Sequence, residues 1–223
     1  MEAIVFAKPP RPGEAKSRLA EAIGDHAAAS FAEAALIDTI NRLRAVDGLR
    51  VSLSTSRLVN DWPAEVRDIA HRLQPPGDLG HKMAEAIEYG LTRDSKVMLW
   101  GADAPHFAPE CPTGVERALE EVDVVLCPAQ DGGFYALGTR VSLTGLFGEI
   151  PWGSATVCDQ TCRALECAGL SVRLLYPNFD IDYSDDLKRL FELLALSPGL
   201  APEVERWFHR WVNEHQLGLG WPK

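Results

Sequence analysis

Basic residues and long apolar runs are both scarce in this sequence. Its 223 residues include 22 Lys and Arg against 32 Asp and Glu, which gives a net charge of −10 at pH 7. Because nucleic-acid phosphates are bound by a surplus of cationic side chains, this balance argues against a general nucleic-acid-binding protein. No apolar run approaches the ~20 residues that a membrane-spanning helix needs, so we expect no membrane span.

The amino terminus and the cysteines exclude two further classes of protein. Residues 1–6 lack the basic stretch and the long apolar core of a secretory signal, so we expect a cytoplasmic protein. Cysteine occurs five times, an odd number, and never as C-x-x-C, so neither a disulfide framework nor a zinc site is indicated. We expect buried free thiols at Cys111, Cys127, Cys158, Cys162 and Cys167.

Apolar segments rich in β-branched residues alternate with segments of helical periodicity. The predicted strands are residues 3–7, 50–55, 96–100, 122–127, 134–138 and 171–176. A long helix is predicted between the first two strands, where apolar residues recur at Ala32, Leu36, Ile40 and Leu43. Further helices are predicted around residues 83–91, 155–168 and 187–194. This alternation is typical of an α/β fold with a parallel sheet flanked by helices.

No linker, internal repeat or low-complexity tract divides the chain. We therefore predict one domain over residues 1–223, in which residues 198–223 form a C-terminal helical extension. The apolar positions of this extension recur at helical spacing: Val204, Trp207, Phe208 and Trp211. This aromatic stripe either packs on the domain or forms the surface of a homodimer, and such stripes usually face a core.

The segment that follows the first predicted strand is the first candidate binding element. Residues 8–19 contain four cations and one acid, namely Lys8, Arg11, Lys16, Arg18 and Glu14. A cationic loop between a strand and a helix is where an α/β protein holds phosphates. The segment has neither the Gly-Lys-Ser of a P-loop nor the G-x-G-x-x-G dinucleotide turn. Taken alone, it is equally well interpreted as a solvated basic loop.

Two acidic motifs stand near the ends of predicted strands. Asp103 lies between Gly101 and Pro105 at the end of a central strand, where open α/β sheets bind ligands. Its carboxylate is a candidate ligand for Mg²⁺ or Mn²⁺, and a turn or helix cap is the alternative. Asp131 is followed by Gly132 and Gly133, a pair that either admits a ligand close to the backbone or forms a hairpin turn.

A further acidic motif follows the last predicted strand. Asp180 and Asp182 alternate there, which places two carboxylates on one side of an extended segment and suits a divalent ion. Ser184 is predicted to cap the following helix. Asp185 and Asp186 are assigned to the positive end of that helix and not to a metal.

Several motifs occur together in a specific order over roughly residues 3–190. They are Phe6-Ala7-Lys8-Pro9-Pro10, Gly13-x-x-Lys16-Ser17-Arg18-Leu19, Pro76-Gly77-Asp78-Leu79-Gly80, Gly101-x-Asp103-x-Pro105, Asp131-Gly132-Gly133-Phe134-Tyr135, Ile150-Pro151-Trp152 and Asp180-Ile181-Asp182. The set resembles the bacterial family called selenium/radical-SAM-associated transferase 1. That family is a glycosyltransferase A-like branch of the nucleotide-diphospho-sugar transferase superfamily.

The resemblance implies a three-layer fold, with a mainly parallel mixed sheet and helices on both faces. It also implies nucleotide binding at the strand ends and a divalent metal, Mg²⁺ or Mn²⁺. The nucleotide-binding residues of the superfamily match Lys8, Gly13, Lys16, Arg18 and Asp78. Its metal-binding acid matches Asp103, and the late acidic pair of the related phospholactate guanylyltransferases matches Asp180 and Asp182. Asp131 would orient the acceptor or act as a base, and Asp103 is assigned to catalysis as well.

Three positions depart from the pattern of the family. Ala102 stands where the family more often has Thr, Gln130 where it has Glu, and Gly153-Ser154 where it has Ser-Thr. The loss of the Thr hydroxyl and the Glu carboxylate removes polar contacts that bear on the identity of the substrate.

Two functions from different classes follow from these observations. The first is a metal-dependent transferase with a small-molecule acceptor. It moves either a nucleotidyl group from a nucleoside triphosphate to a small phosphorylated or carboxylated acceptor, or a glycosyl group from a sugar nucleotide. The second is a nucleotide-binding or partner-scaffolding protein without turnover, since a fold does not determine a function. The chain retains both Asp103 and Asp182, which favours the enzyme.

Overall fold

The structure is a computed structural model of the chain, and it describes residues 1–214. Strands and helices alternate along this part of the chain. The strands are β1 (Glu2–Ala7), β2 (Arg50–Thr55), β3 (Ala70–Leu73), β4 (Val97–Gly101), β5 (Val124–Pro128), β6 (Phe134–Thr139) and β7 (Val172–Leu174). The helices are α1 (Ser17–Ile23), α2 (Asp25–Arg44), α3 (Ala64–Arg67), α4 (Leu79–Leu91), α5 (Cys111–Ala118), α6 (Val157–Cys167), α7 (Ser184–Leu196) and α8 (Pro202–Glu214). None of these helices combines the length and the apolar content that crossing a bilayer requires.

The seven strands form one sheet in the order β3-β2-β1-β4-β6-β5-β7. β1 pairs in parallel with β2 and β4, β2 with β3, and β5 with β7. β6 runs antiparallel to both of its neighbours. The parallel pairs need crossover connections, and the helices in those connections cover the sheet. The predicted α/β fold with a mainly parallel mixed sheet is therefore confirmed.

Helices cover both faces of the sheet, which gives three layers. On one face, α2 and α5 pack over a buried cluster that includes Val5 and Trp100. On the other face, α4 and α6 pack over a cluster that includes Ile4 and Leu99. Successive residues of one strand thus pack into the two different clusters, because their side chains point to opposite faces of the sheet.

The observed elements differ from the predicted ones mainly at short or exposed segments. β3 was not predicted, since it is a four-residue edge strand whose residues are all at least partly exposed. The predicted strand 171–176 shortens to β7, because only three residues pair with β5 and Tyr176 takes a left-handed backbone conformation with φ 49°. The short helices α1, α3 and α5 were not predicted either, as each has too few residues to show a periodicity.

The five cysteines of the chain are free thiols in the structure. Cys111, Cys127 and Cys158 are buried, as expected. Cys162 is half-buried and Cys167 is exposed, so for these two the expectation of burial was wrong. Both lie on the second half of α6, whose outer face is open to solvent.

The C-terminal helix α8 packs on α2 and α7 through a third buried cluster. The aromatic stripe faces this cluster, and the ring of Trp207 meets that of Phe31 edge-on with 5.2 Å between centroids. The described part of the stripe is therefore covered by helices of the same chain. Residues 215–223 lie outside the described residues, and the division of the chain into one domain with an extension stays a prediction.

Asp38 of α2 caps α8 from a neighbouring helix. Its side chain is buried and accepts hydrogen bonds from the backbone N–H groups of Glu203 (3.0 Å) and Val204 (2.9 Å). Burial raises the pKa of this carboxyl to about 6. Both amides belong to the first turn of α8, where N–H groups have no partner within the helix. Asp38 therefore anchors the C-terminal helix to α2.

We expect Asp38→Ala to lower the free energy of unfolding by about 1–3 kcal/mol, because two buried N–H groups lose their acceptor. Glu33→Ala, at an exposed position of the same helix, is the matched control and should cost less than about 0.5 kcal/mol. Urea unfolding followed by circular dichroism measures both variants. Equal costs would show that Asp38 does not anchor α8.

Candidate functional site

The carboxyl ends of the parallel strands meet at one edge of the sheet. The loops after β1, β2, β3 and β4 lie there, and antiparallel β6 begins there. The segment after β7 reaches the same edge, where the Ile181 amide donates to the Asp103 carbonyl (3.0 Å). This backbone hydrogen bond places the late acidic segment beside the residue that follows β4. Open α/β sheets bind ligands at this edge.

Lys16 lies at the centre of this edge. Its ammonium group donates to the Ile181 carbonyl (2.6 Å) and to Asp182 Oδ1 (3.4 Å), and it forms an ion pair with Asp103. The Lys16 side chain is only 6% exposed. Burial lowers the pKa of Lys16, but the charges of Asp103 and Asp182 outweigh it and raise that pKa above its ordinary value. The basic loop is therefore more than a solvated segment, because its central cation is buried among acids.

The backbone of Lys16 is held in an unusual conformation. Its φ of 53° and ψ of 45° lie in the left-handed region, immediately before α1. For a residue other than glycine this conformation costs about 1–2 kcal/mol. The ion pairs and hydrogen bonds of the ammonium group offset that cost, and strain of this kind concentrates at functional sites.

Asp182 joins Lys16 to the more exposed Arg18. Arg18 Nη1 lies 3.2 Å from Asp182 Oδ2, and the Arg18 side chain is 58% exposed. Asp186 Oδ2 accepts from the amides of Asp182 (3.1 Å) and Tyr183 (2.8 Å), so its assignment to helix capping is confirmed. The prediction that Ser184 caps α7 was wrong, because α7 begins at Ser184 and the cap position is Tyr183.

Asp180 is the most perturbed acid of the site. Burial and the neighbouring charge of Asp103 raise the pKa of its carboxyl to about 7, against the opposing effect of Lys16. Its Oδ1 atom is buried and has no hydrogen-bond partner. A buried acceptor without a partner costs free energy, so this oxygen is suited to a cation or a donor that a ligand brings.

Two cavities open on the two sides of Asp103 and share Phe6, Leu79 and Asp103. The larger one, here called the cationic cavity, has a volume of about 520 Å³, and its charged lining residues are Lys8, Lys16, Arg18, Lys82, Asp103 and Asp182. The smaller one, here called the aromatic cavity, has a volume of about 270 Å³, and its charged lining residues are Asp103, Asp131 and Asp180. The lysine and arginine side chains of the two linings therefore all lie on one side of the shared Asp103 carboxylate.

Asp131 begins a tight turn at the rim of the aromatic cavity. Its Oδ1 atom accepts from the Gly133 amide (2.8 Å). Gly132 has a φ of 90°, and a Cβ atom there would overlap the carbonyl of Ala155, so only glycine fits this position. The Gly132 carbonyl in turn accepts from the Cys158 amide (2.8 Å). The glycine pair thus makes a turn and also fixes Asp131 against the start of α6.

Trp152 forms one wall of the aromatic cavity. Its ring meets Phe134 and Phe147 edge-on, with centroid distances of 6.4 Å and 5.9 Å. A Cβ atom at Gly80 would lie 2.9 Å from the indole and 2.7 Å from Phe147. Glycine at this position of α4 is therefore required for the tryptophan to pack against the helix.

The structure brings together most, but not all, of the predicted site residues. Lys8, Lys16, Arg18, Asp103 and Asp182 line the cationic cavity, and Asp131 and Asp180 line the aromatic one. Gly13 and Asp78 line neither cavity. Asp78 caps α4, where its Oδ1 atom accepts from the His81 amide (2.8 Å).

Sequence reasoning missed several residues that line the cavities: Ser56, Gln74, Lys82, Leu79 and Trp152. The last three lie in or next to segments that carried the family resemblance, so proximity to Gly80 and Pro151 was the available signal. Ser56 and Gln74 follow β2 and β3, and because β3 itself was missed, nothing in the sequence marked Gln74.

The acids at this edge fit a divalent cation. Within residues 1–214, no three His, Cys, Asp or Glu side chains are arranged to hold a metal ion, and at this edge Lys16 is paired with both Asp103 and Asp182. The acids nevertheless offer carboxylate oxygens, which are the ligands that Mg²⁺ prefers, and Asp180 Oδ1 accepts no hydrogen bond.

Residues 39–154, more than half of the chain, match the family described as "Uncharacterized protein conserved in bacteria (DUF2064)". The chain belongs to this family. No curated protein sequence matches it. The matched region of this DUF2064 chain contains β2, β3, β4, β5 and β6, and with them Asp103 and Asp131.

Solved structures share the fold over nearly the whole length. A protein from Desulfovibrio desulfuricans, described as a "putative nucleotide-diphospho-sugar transferase", has a TM-score of 0.85 and 25% identity, over 96% of this chain and 97% of that one. A cytidylyltransferase from Leptospira borgpetersenii has a TM-score of 0.61 and 11% identity, over 96% of this chain and 94% of that one. The 4-diphosphocytidyl-2C-methyl-D-erythritol synthase of Anaerococcus prevotii has a TM-score of 0.57 and 13% identity, over 87% of this chain and 97% of that one. The DUF2064 chain therefore has the fold of nucleotide-diphospho-sugar transferases and cytidylyltransferases.

We expect Lys16→Met to lower the free energy of unfolding at pH 8 by about 1–3 kcal/mol, because it leaves the surrounding carboxylates without their buried counter-ion. The cost should be smaller at pH 5, because Asp180, whose pKa burial raises to about 7, is protonated there and adds no negative charge to the group. Arg18→Met is the matched control, since Arg18 pairs with the same Asp182 but is exposed, and it should cost less than about 1 kcal/mol. Urea unfolding at both pH values measures the difference, and a Lys16 variant no more costly than the control would contradict this account.

Asp180→Asn should stabilise the metal-free protein at pH 8. A carboxyl whose pKa is higher in the folded than in the unfolded chain makes folding less favourable as the pH rises from about 4 to about 7. The amide does not ionise, so we expect a gain of about 1–3 kcal/mol at pH 8 that disappears near pH 4. Thermal unfolding in EDTA, with Asp185→Asn as an exposed control, measures the effect. A gain that does not depend on pH would refute the assignment to Asp180.

Proposed function

We propose that this DUF2064 protein is a transferase that uses a nucleotide or sugar nucleotide and acts on a small-molecule acceptor. The observation that carries the proposal is the pair of cavities that meet at Asp103. One cavity is lined by four cationic side chains and suits phosphates, whereas the other has no cationic lining residue among those described. Two adjoining cavities of different chemistry suit a donor and an acceptor that must meet during transfer.

The cationic cavity would bind the nucleotide. Lys8, Arg18 and Lys82 approach it from the loop after β1, from α1 and from α4. Phosphates carry several negative charges, and cationic side chains from separate elements neutralise them without a protein nucleophile. Ser56 and Gln74 add polar groups to the lining of this cavity and would contact the base or ribose.

Lys16 would change partners when a nucleotide binds. In the structure its ammonium group is held by Asp103, Asp182 and Ile181. Asp103, together with Asp180 or Asp182, would hold Mg²⁺ or Mn²⁺, and the ion supplies positive charge beside the phosphates when it is bound. The Lys16 ammonium group is then free to contact the phosphates of the nucleotide. Asp131, which is fixed by the turn before β6, would orient the acceptor or accept its proton.

The similarity to the Desulfovibrio desulfuricans protein supports the same class of function, since it extends over nearly the full length of both chains. The cytidylyltransferases share the fold alone, and a fold by itself does not determine a function. The sequence motifs favour the selenium/radical-SAM-associated transferase 1 branch of the glycosyltransferase A-like superfamily. Glycosyl and nucleotidyl transfer both use the charge neutralisation that this site offers.

The proposal is tested by measuring the melting temperature with nucleoside triphosphates and sugar nucleotides, with and without Mn²⁺. At least one nucleotide should raise the melting temperature, because a ligand that binds only the folded state stabilises it. Asp103→Asn should reduce the Mn²⁺-dependent part of this rise by more than about half, since it removes a charge that attracts the cation. If the protein turns the nucleotide over, Asp103→Asn should also slow the release of the phosphate-containing product.

Asp68→Asn is the matched control for Asp103→Asn. Asp68 is also paired with a basic residue, Arg44, but it lines neither cavity. This control should keep the full response to nucleotide and Mn²⁺. If no nucleotide changes the melting temperature of the wild-type protein, the proposed function is wrong. Nucleotide binding without release of product would identify a binding protein that shares the fold.

A further inference from the structure

The aromatic cavity is built for a small and largely apolar molecule. Its volume of about 270 Å³ is just below the range for ligand pockets, which is roughly 300–1,000 Å³. Three aromatic rings form part of its wall, contributed by Phe6, Phe134 and Trp152. Aliphatic side chains fill the remainder, among them Leu79, Met83, Leu99, Leu137 and Val157. Walls of this kind favour a ring or a compact apolar body over a chain of hydroxyl groups.

The charges that face this cavity are all of one sign. Asp103, Asp131 and Asp180 line it, and the described lining contains no Lys, Arg or His. The ammonium group of Lys16 is bound to Asp103 and Asp182 and lines the other cavity. A phosphate or carboxylate placed here would lose its hydration without gaining a cationic side chain as a partner, and such a transfer is strongly unfavourable. A hydroxyl or an amine would instead find carboxylate acceptors.

From these features we infer that the aromatic cavity binds the acceptor, and that the acceptor is a small apolar or aromatic molecule with a reacting hydroxyl or amino group and no phosphate or carboxylate. The inference rests on the proposed function, because only a transferase has an acceptor. It narrows that function, because it excludes acceptors that carry a phosphate or a carboxylate.

The transfer step balances with such an acceptor. The hydroxyl or amino group gives its proton to a carboxylate of the cavity, and its lone pair forms the new bond to the transferred carbon or phosphorus. The bond from that atom to the oxygen of the leaving phosphate breaks, and its electron pair leaves with that phosphate. The cationic cavity then stabilises the negative charge of the leaving group.

Four probes of similar shape and different charge test the inference: benzyl alcohol, benzylamine, benzoate and benzyl phosphate. Their binding to the full chain is measured by ligand-observed NMR at neutral pH, first in EDTA and then with Mg²⁺. The neutral and cationic probes should bind at least about tenfold more tightly than the two anionic probes in both conditions. Anionic probes that bind as tightly as benzyl alcohol, in either condition, would overturn the inference.

Two tryptophan variants place the binding in the cavity. Ser154 lines the aromatic cavity at a partly exposed position, so Ser154→Trp should abolish binding of benzyl alcohol and benzylamine. Ser142→Trp is the matched control, because Ser142 is exposed and lines neither cavity, and it should leave binding unchanged. Binding that survives Ser154→Trp lies elsewhere on the protein and would also overturn the inference. The melting temperature of each variant shows whether it is folded.

The nucleotide response separates this inference from the proposed function. Ser154→Trp should keep the rise in melting temperature caused by nucleotide, because the cationic cavity does not include residue 154. If nucleotide stabilises the wild-type protein and the probes show no preference by charge, the inference fails and the proposed function stands. If the neutral and cationic probes bind more tightly than the anionic ones but no nucleotide binds, the aromatic cavity still binds small apolar molecules and the proposed function fails.

Discussion

The ion pairs of Lys16 tie together parts of the chain that lie far apart in sequence. One ammonium group holds the loop after β1, the acid after β4 and the segment before α7 at one edge of the sheet. A buried cation among carboxylates is required, because these carboxylates would otherwise repel one another in a partly dehydrated site. The left-handed backbone of Lys16 shows that the fold accepts local strain to place this charge. Asp103, one of the two acids paired with Lys16, lines both cavities.

The same interaction separates the charges of the site. Lys16 neutralises Asp103 and Asp182, so the remaining cations line the larger cavity and the remaining acids line the smaller one. Asp180 is left with a raised pKa and an oxygen without a partner, which makes the ligand-free protein less stable than it would otherwise be. Stability given up at one residue is typical of a site whose missing partner arrives with a ligand. The described structure thus resembles a site that is preorganised for binding.

Much of the fold could be predicted from periodicity alone. The strand 50–55 and the long helix α2 were predicted because each has a regular apolar pattern and buries a face. Edge strand β3 and the start of α7 could not be predicted in this way. β3 is stabilised by pairing with β2, and the cap of α7 depends on Asp186 reaching back to two amides, so neither leaves a periodic signal.

The site was predicted in its residue types and only partly in its arrangement. The sequence by itself determined which acids follow strands, where glycine is needed and which loop is basic, since these are local properties of the chain. Only the tertiary structure decided that Lys16 is buried among acids instead of exposed, that Asp78 is a helix cap and that Lys82 and Trp152 face cavities. The physical reason is that charge pairing, desolvation and cavity shape depend on contacts between distant segments, and the order of strands in the sheet sets those contacts.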